Sequence, residues 1–272
     1  MRTSLSGLPA PALAGVIQEK TPRAAIAEIK NCRNDGAAMI DLHLSCLEEP
    51  SEQNLRSIIG STELPILALN YNTNYDKQHA GYSEEARVES LLCAVRAGAA
   101  GIDMQGCTFD AASKSGFHGE DKYCFTAGNP KEIVTDAAII EKQCALIETV
   151  HSMGAEVLLS CHPGIPMNAE QVVALALFLE ERKPDIIKIV TPAYDEAALH
   201  ESIRAMMLLK KEVKTPVAYH ANGKAGLLSR IVNPILGGQI AFCVDRYSES
   251  STMEQIDLKA AKAVMDNIYK IL

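Results

Sequence analysis

A lysine stands in the middle of an apolar run. The segment "DIIKIVTPA" (185–193) has the composition of a strand buried on both faces, with Lys188 at its centre. An ammonium is costly to bury without a partner, and its usual escape is a pKa lowered toward neutrality. In that state the amine attacks ketones and aldehydes, and the iminium so formed is an electron sink that acidifies the adjacent C–H. The chemistry then needs a base, and His162 follows the apolar run "EVLLSC" (156–161). Alternate residues of a strand share a face. Parity with Lys188 therefore gathers Asp41 and His43, Asp103 and Gln105, Ser160 and His162, and His220 and Asn222 at the ends of their apolar runs. Core polar residues with satisfied hydrogen bonds would account for one or two of these; the whole set reads as a site.

A second chemistry uses part of the same set. Asp41, His43, His162 and His220 are of the types that ligate a divalent metal. No H-x-H or H-E-x-x-H pair is present, and a metal leaves Lys188 without a purpose. The Schiff-base reading is preferred, with neither metal nor cofactor, because the iminium itself supplies the electron sink.

The elements that must position these residues alternate along the chain. Candidate strands are "ALAGVIQ", "AAMIDLHLS", "PILALNYN", "AGIDMQGC", "EVLLSCHP", "DIIKIVTPA", "PVAYHANG" and "QIAFCVD". Between them lie amphipathic stretches such as "TPRAAIAEIKNC", "SEEARVESLLCAVRAG", "AEQVVALALFLEER" and "DEAALHESIRAMMLLKK", and "QIDLKAAKAVMDNIYKIL" comes last. Eight strand–helix units without a break in composition predict an α/β fold, a (β/α)8 TIM barrel in a single domain spanning 1–272. A doubly wound sheet would carry a Gly-rich turn after an early strand, and none is found. The spacing is irregular at one place. Residues 108–134, after the fourth strand, form a long loop that serves either as a lid over the catalytic face or as a surface excursion.

Composition sets outer limits. The chain has 272 residues, 47% hydrophobic and 22% charged, with a net charge of -8. That charge argues against nucleic acid or an anionic membrane as partner, since both call for a basic footprint. Its eight cysteines show no C-x-x-C spacing, and most lie in apolar patterns where cysteine acts as a small hydrophobe. They read as reduced thiols of a cytoplasmic protein. The start, "MRTSLSGLPAPALAGVIQ", has prolines where a signal-peptide core would be apolar, and no stretch has the length of a membrane span.

At this point the motifs form a known pattern. "EVLLSCHPG", "DIIKIVTPA" and "NGKAGLLSR" in succession resemble the S-x-H-D-F, D-x-x-K-x-A and M-G-x-x-G-x-x-S-R segments of the type I 3-dehydroquinate dehydratase family, and "SSTMEQI" stands at its S-A-P-G-Q. The resemblance places His162 at the family's general acid/base and Lys188 at its Schiff-base lysine. Arg230 falls at its carboxylate-binding arginine, and Ser251 and Gln255 at its closing loop. It also implies a homodimer and a small keto-acid substrate. The departures cluster around the substrate. Strand two's E-x-R-x-D is "DLHLS", so Asp41 and His43 replace a glutamate and an arginine, and Tyr71 replaces a second arginine. Gln105 takes the place of the carboxylate that orients the histidine. His220 and Asn222 precede the glycine motif, and with His43 they are expected to add neutral hydrogen-bonding capacity. The resemblance thus implies a dehydratase acting on 3-dehydroquinate or a related cyclic keto-acid. Three rivals use the same residues otherwise: a class I aldolase, a metal-dependent isomerase or hydrolase, and a non-catalytic binding homologue. The amide-rich start of "NGKAG" is the better anion site; the glycines of "ILGGQ" precede a strand and read as a turn.

Overall fold

The computed structural model describes residues 4–71, 83–115, 123, 125–248, 251 and 254–271. Strands and helices alternate through them. The order is β1 (Ala12–Ile17), α1 (Pro22–Asn34), β2 (Met39–His43), α2 (Glu52–Ile59), β3 (Ile66–Leu69), α3 (Glu84–Ala97), β4 (Gly101–Gln105), α4 (Ala111–Ser115) and α5 (Ala137–Ser152). It continues with β5 (Glu156–Cys161), α6 (Ala169–Glu180), β6 (Ile186–Pro192), α7 (Glu196–Glu212), β7 (Val217–Asn222), α8 (Ser229–Ile235), β8 (Ile240–Val244), β9 (Ile256–Asp257) and α9 (Leu258–Tyr269). All eight apolar runs read as strands form β1 to β8. The strands belong to one sheet, in the order β7-β6-β5-β4-β3-β2-β1-β8-β9. The pairings β1–β2, β1–β8, β2–β3, β5–β6, β6–β7 and β8–β9 are parallel.

Local chemistry sets the helix starts. Thr21, Ser51, Ser83, Asn168, Asp195 and Asp257 each accept a backbone N–H with the side chain, capping α1, α2, α3, α6, α7 and α9. Asn168 and Gln171 form a reciprocal capping box. The last segment departs from the sequence reading, which made it helical from Gln255. Ile256 and Asp257 instead pair with Cys243 and Val244 before Asp257 caps α9. A cap residue is extended, so a short ladder fits directly ahead of the helix.

The chain divides into two compact units. One comprises Met1–Ile102, Met153–Ala155 and Ile240–Leu272, and the other Asp103–Ser152 and Glu156–Gln239. In the first, β1, β2, β3 and β8 bury Ala14, Ile17, Ile40, Leu42, Leu67 and Cys243, and α1 packs through Ala25, Ile29 and Cys32. In the second, β5, β6 and β7 are buried almost throughout, as parallel strands covered on both faces must be. Their register places Ser160 beside Lys188 and Lys188 beside Ala218, with Val190 beside His220 and Pro192 beside Asn222. Among the described residues no helix is long and apolar enough to cross a membrane, and the seven described cysteines are free thiols.

Candidate active site

Lys188 is 6% exposed, at the middle of β6. Its amine is not isolated, as the strand alone suggested. Its Nζ lies 3.3 Å from Oδ2 of Asp103, a fully buried carboxylate on β4. The Ser160 hydroxyl donates to the other Asp103 oxygen at 2.5 Å. Register accounts for this triangle, since Ser160 is the direct neighbour of Lys188 across β5 and β6. The amine therefore has a carboxylate beside it that the strand alone did not reveal.

His162 lies one residue past β5, and the carboxylate on its ring comes from elsewhere than expected. Glu132 Oε2 accepts from His162 Nδ1 at 2.8 Å and from the His162 backbone N–H at 2.9 Å. Gln105 Nε2 donates to the other oxygen, Oε1, at 3.1 Å. Gln105 thus supports the carboxylate at His162 Nδ1 rather than standing in for it. Sequence reasoning missed Glu132, because nothing in "NPKEIV" marks it out from other charged loop residues. Its weak signal was position: it lies in the irregular stretch after the fourth strand. That stretch contains α4, and its far end is packed down, with Glu132, Ile133 and Val134 all fully buried.

The third group comes from β7 and the turn after it. His220 is buried, and burial first, then the neighbouring Arg230, Lys188 and His162, hold its pKa well below the usual 6.5. It is neutral at pH 7. Arg230 donates through Nη2 to Asn222 Oδ1 at 2.6 Å. The glycine motif makes this approach feasible. Gly223 has φ +87°, and a Cβ there would lie 2.7 Å from the Ala193 carbonyl oxygen. Ser229 closes the turn, accepting from Ala221 N at 2.8 Å and donating to the Gly226 carbonyl at 2.6 Å.

The remaining predicted residues belong to the first unit. His43 Nε2 lies 3.5 Å from Asp41 Oδ2, and Gln18 Nε2 lies 3.4 Å from His43 Nδ1. Burial pushes the imidazole pKa down, but Asp41 and then Cys46 outweigh it and raise it to about 9. His43 is thus a cation at pH 7, not the neutral group expected. The other Asp41 oxygen, Oδ1, is buried without a hydrogen-bond partner. Tyr71 follows β3, whose exit is braced by Arg87 Nη1 donating to the Asn70 carbonyl at 2.9 Å. The Ser251 hydroxyl accepts from Ser248 N at 3.0 Å, and the Gln255 carbonyl accepts from the Tyr247 hydroxyl at 2.6 Å. Among the described residues no group of three or more His, Cys, Asp or Glu side chains is arranged to hold a metal ion.

Comparison with known proteins gives a family match. The model of the family described as type I 3-dehydroquinase matches residues 130–271. That stretch holds Glu132, His162, Lys188, His220, Asn222, Arg230, Ser251 and Gln255, while Asp41, His43, Tyr71 and Gln105 precede it. A 3-dehydroquinate dehydratase of Alkaliphilus oremlandii is 26% identical over 128 residues, which is 46% of this chain and 49% of that protein, so the match spans about half the relative's length. Among solved structures, the 3-dehydroquinate dehydratase of Geobacillus kaustophilus superposes with a TM-score of 0.78 at 14% identity, covering 98% of this chain and 96% of its own. The type I 3-dehydroquinate dehydratase of Clostridium difficile, solved with covalent modified comenic acid, gives 0.76 at 16% identity, covering 98% and 95%.

Proposed function

Because the chain belongs to the type I 3-dehydroquinase family, we propose that it is a Schiff-base-forming hydro-lyase acting on 3-dehydroquinate or a related cyclic keto-acid. The observation that carries the reading is Lys188 buried in the centre of β6 with Asp103 at its amine, in the same unit as His162 and Arg230. Asp103, 3.3 Å from the amine, is the acceptor for the proton the amine gives up on attack. The amine adds to the ketone, water leaves, and an iminium remains. His162 then takes the α-proton, the electron pair moves into the iminium, and the β-hydroxyl departs as water with the proton His162 returns. Hydrolysis of the iminium frees the product and the lysine. Arg230, aligned by Asn222, is the cation for the substrate carboxylate. His220 adds a neutral hydrogen-bonding group.

By motif position, Asp41, His43, Tyr71, Ser251 and Gln255 are proposed to contact the rest of the substrate. In the same reading the sheet closes as a (β/α)8 barrel of one domain, with 108–134 able to act as a lid. The protein works without a cofactor, as a cytoplasmic homodimer, on a small soluble keto-acid. The altered residues at 41, 43 and 71 favour a substrate related to 3-dehydroquinate as the second reading.

The test is borohydride reduction in the presence of 3-dehydroquinate, followed by peptide mass mapping. The expected outcome is a covalent mass on Lys188 that is absent from K188A. Retained ligand affinity in K188M with no adduct would instead mark a binding protein, and a product of C–C cleavage an aldolase.

A further inference from the structure

The mechanism leaves the buried acid beside His162 without a role. Glu132 is fully buried, and its carboxylate accepts from His162 Nδ1, His162 N and Gln105 Nε2. The backbone under it is over-determined. Glu132 has φ +59°, a left-handed conformation that costs a non-glycine residue energy and persists only where its surroundings enforce it. Its N–H donates to the Ser113 carbonyl at 2.8 Å, its carbonyl accepts from the Cys161 thiol at 3.1 Å, and the preceding Lys131 N–H donates to the Pro163 carbonyl at 2.7 Å. It also lies against Gly106, where a Cβ would stand 2.2 Å from the Glu132 carbonyl oxygen. Gln143 of α5 holds the start of the same loop through the Gly106 and Thr108 carbonyls, both at 2.8 Å.

We propose that Glu132 is the positioning residue for His162, so that the acid/base is set by the buried end of the loop after β4. The inference rests on the role given to His162 above. A histidine that shuttles a proton through one ring nitrogen needs the other occupied by a fixed partner. With Glu132 accepting at Nδ1, that nitrogen carries the proton, and Nε2 is the nitrogen that exchanges a proton with substrate. The carboxylate also offsets the positive charge that appears on the ring when His162 takes the α-proton. Gln105 holds Oε1 and so fixes the carboxylate in turn.

The test separates positioning from mere structural bracing. In E132Q the amide oxygen can still accept the His162 backbone N–H, so a purely structural role survives the change. We expect kcat to fall by about 100-fold with KM nearly unchanged, and the 15N spectrum of His162 to shift from the Nδ1–H tautomer of the wild type toward a mixture. If E132Q does not fold, E132D serves: it keeps the charge but is one methylene short, and its kcat and tautomer ratio should move the same way by a smaller factor. Wild-type kcat and wild-type tautomer in the folded variant overturn the proposal. Failure of the functional reading is distinguishable, since it appears as no adduct on Lys188 in the wild type, while the tautomer of His162 still reports on Glu132.

Discussion

Side chains of the same type take opposite charge states here, according to their neighbours. His220 is buried, with the Arg230 guanidinium near it, and is neutral, whereas His43 sits beside Asp41 and is a cation up to about pH 9. For His43 the consequence is measurable. Its folded pKa exceeds the ordinary 6.5, so the folded state binds the extra proton between those values. The stability this provides is fully present below about pH 6.5 and is lost as pH rises through about 9. The size is on the order of 3 kcal/mol. Replacing Asp41 with Asn removes the main partner that raises the pKa. In urea unfolding, wild type should exceed D41N by most at pH 6, and the gap should shrink as pH approaches 10. A gap independent of pH would refute the coupling.

At the level of elements, the turns that follow strands bring the chemistry together, and close packing makes the turns possible. Gly106 is the clearest case, because the chain passes over it with no room for a side chain. A methyl group there must displace the Glu132 backbone, and buried backbone yields little. G106A should lose about 1–3 kcal/mol of stability and also at least tenfold in kcat, while still forming the adduct on Lys188, whose strand is untouched. Intact activity in G106A would show that the loop tolerates a shift at Glu132. The β6 register had the opposite status. Lys188, Ser160 and Ala218 lie side by side because parallel strands of period two admit few alternatives.

Over the whole molecule, four of the departures from the family's motifs precede the matched stretch. Residues 130–271 carry the lysine, the histidine and the arginine, while the altered positions 41, 43, 71 and 105 all come earlier. In the proposed reading, the reaction chemistry is kept where the residues for substrate recognition differ. A histidine cation is smaller than a guanidinium and lacks its planar fork, and a tyrosine carries no charge. Restoring both arginines should therefore raise kcat/KM for 3-dehydroquinate by about tenfold or more, on the scale of one or two charge-assisted hydrogen bonds. No gain in H43R/Y71R, with a gain for another keto-acid in the parent, would point to a different natural substrate.

The amino-acid sequence by itself determined the strands, most of the helices and the face on which Lys188, His162, His220 and Asn222 lie. Each of these follows from local periodicity and from the type of the residue. It also carried the family, through motifs whose glycines and serine have a local steric purpose, as Gly223 and Ser229 illustrate. Only the tertiary structure decided who stands next to whom. Asp103 lies 85 residues from Lys188, and Glu132 lies 30 residues from His162. A buried charge fixes that a partner must exist, but not which distant carboxylate supplies it. For Glu132 the answer depended on a backbone in a disfavoured conformation, held by bonds to Ser113, Cys161 and Pro163 that no short-range pattern encodes.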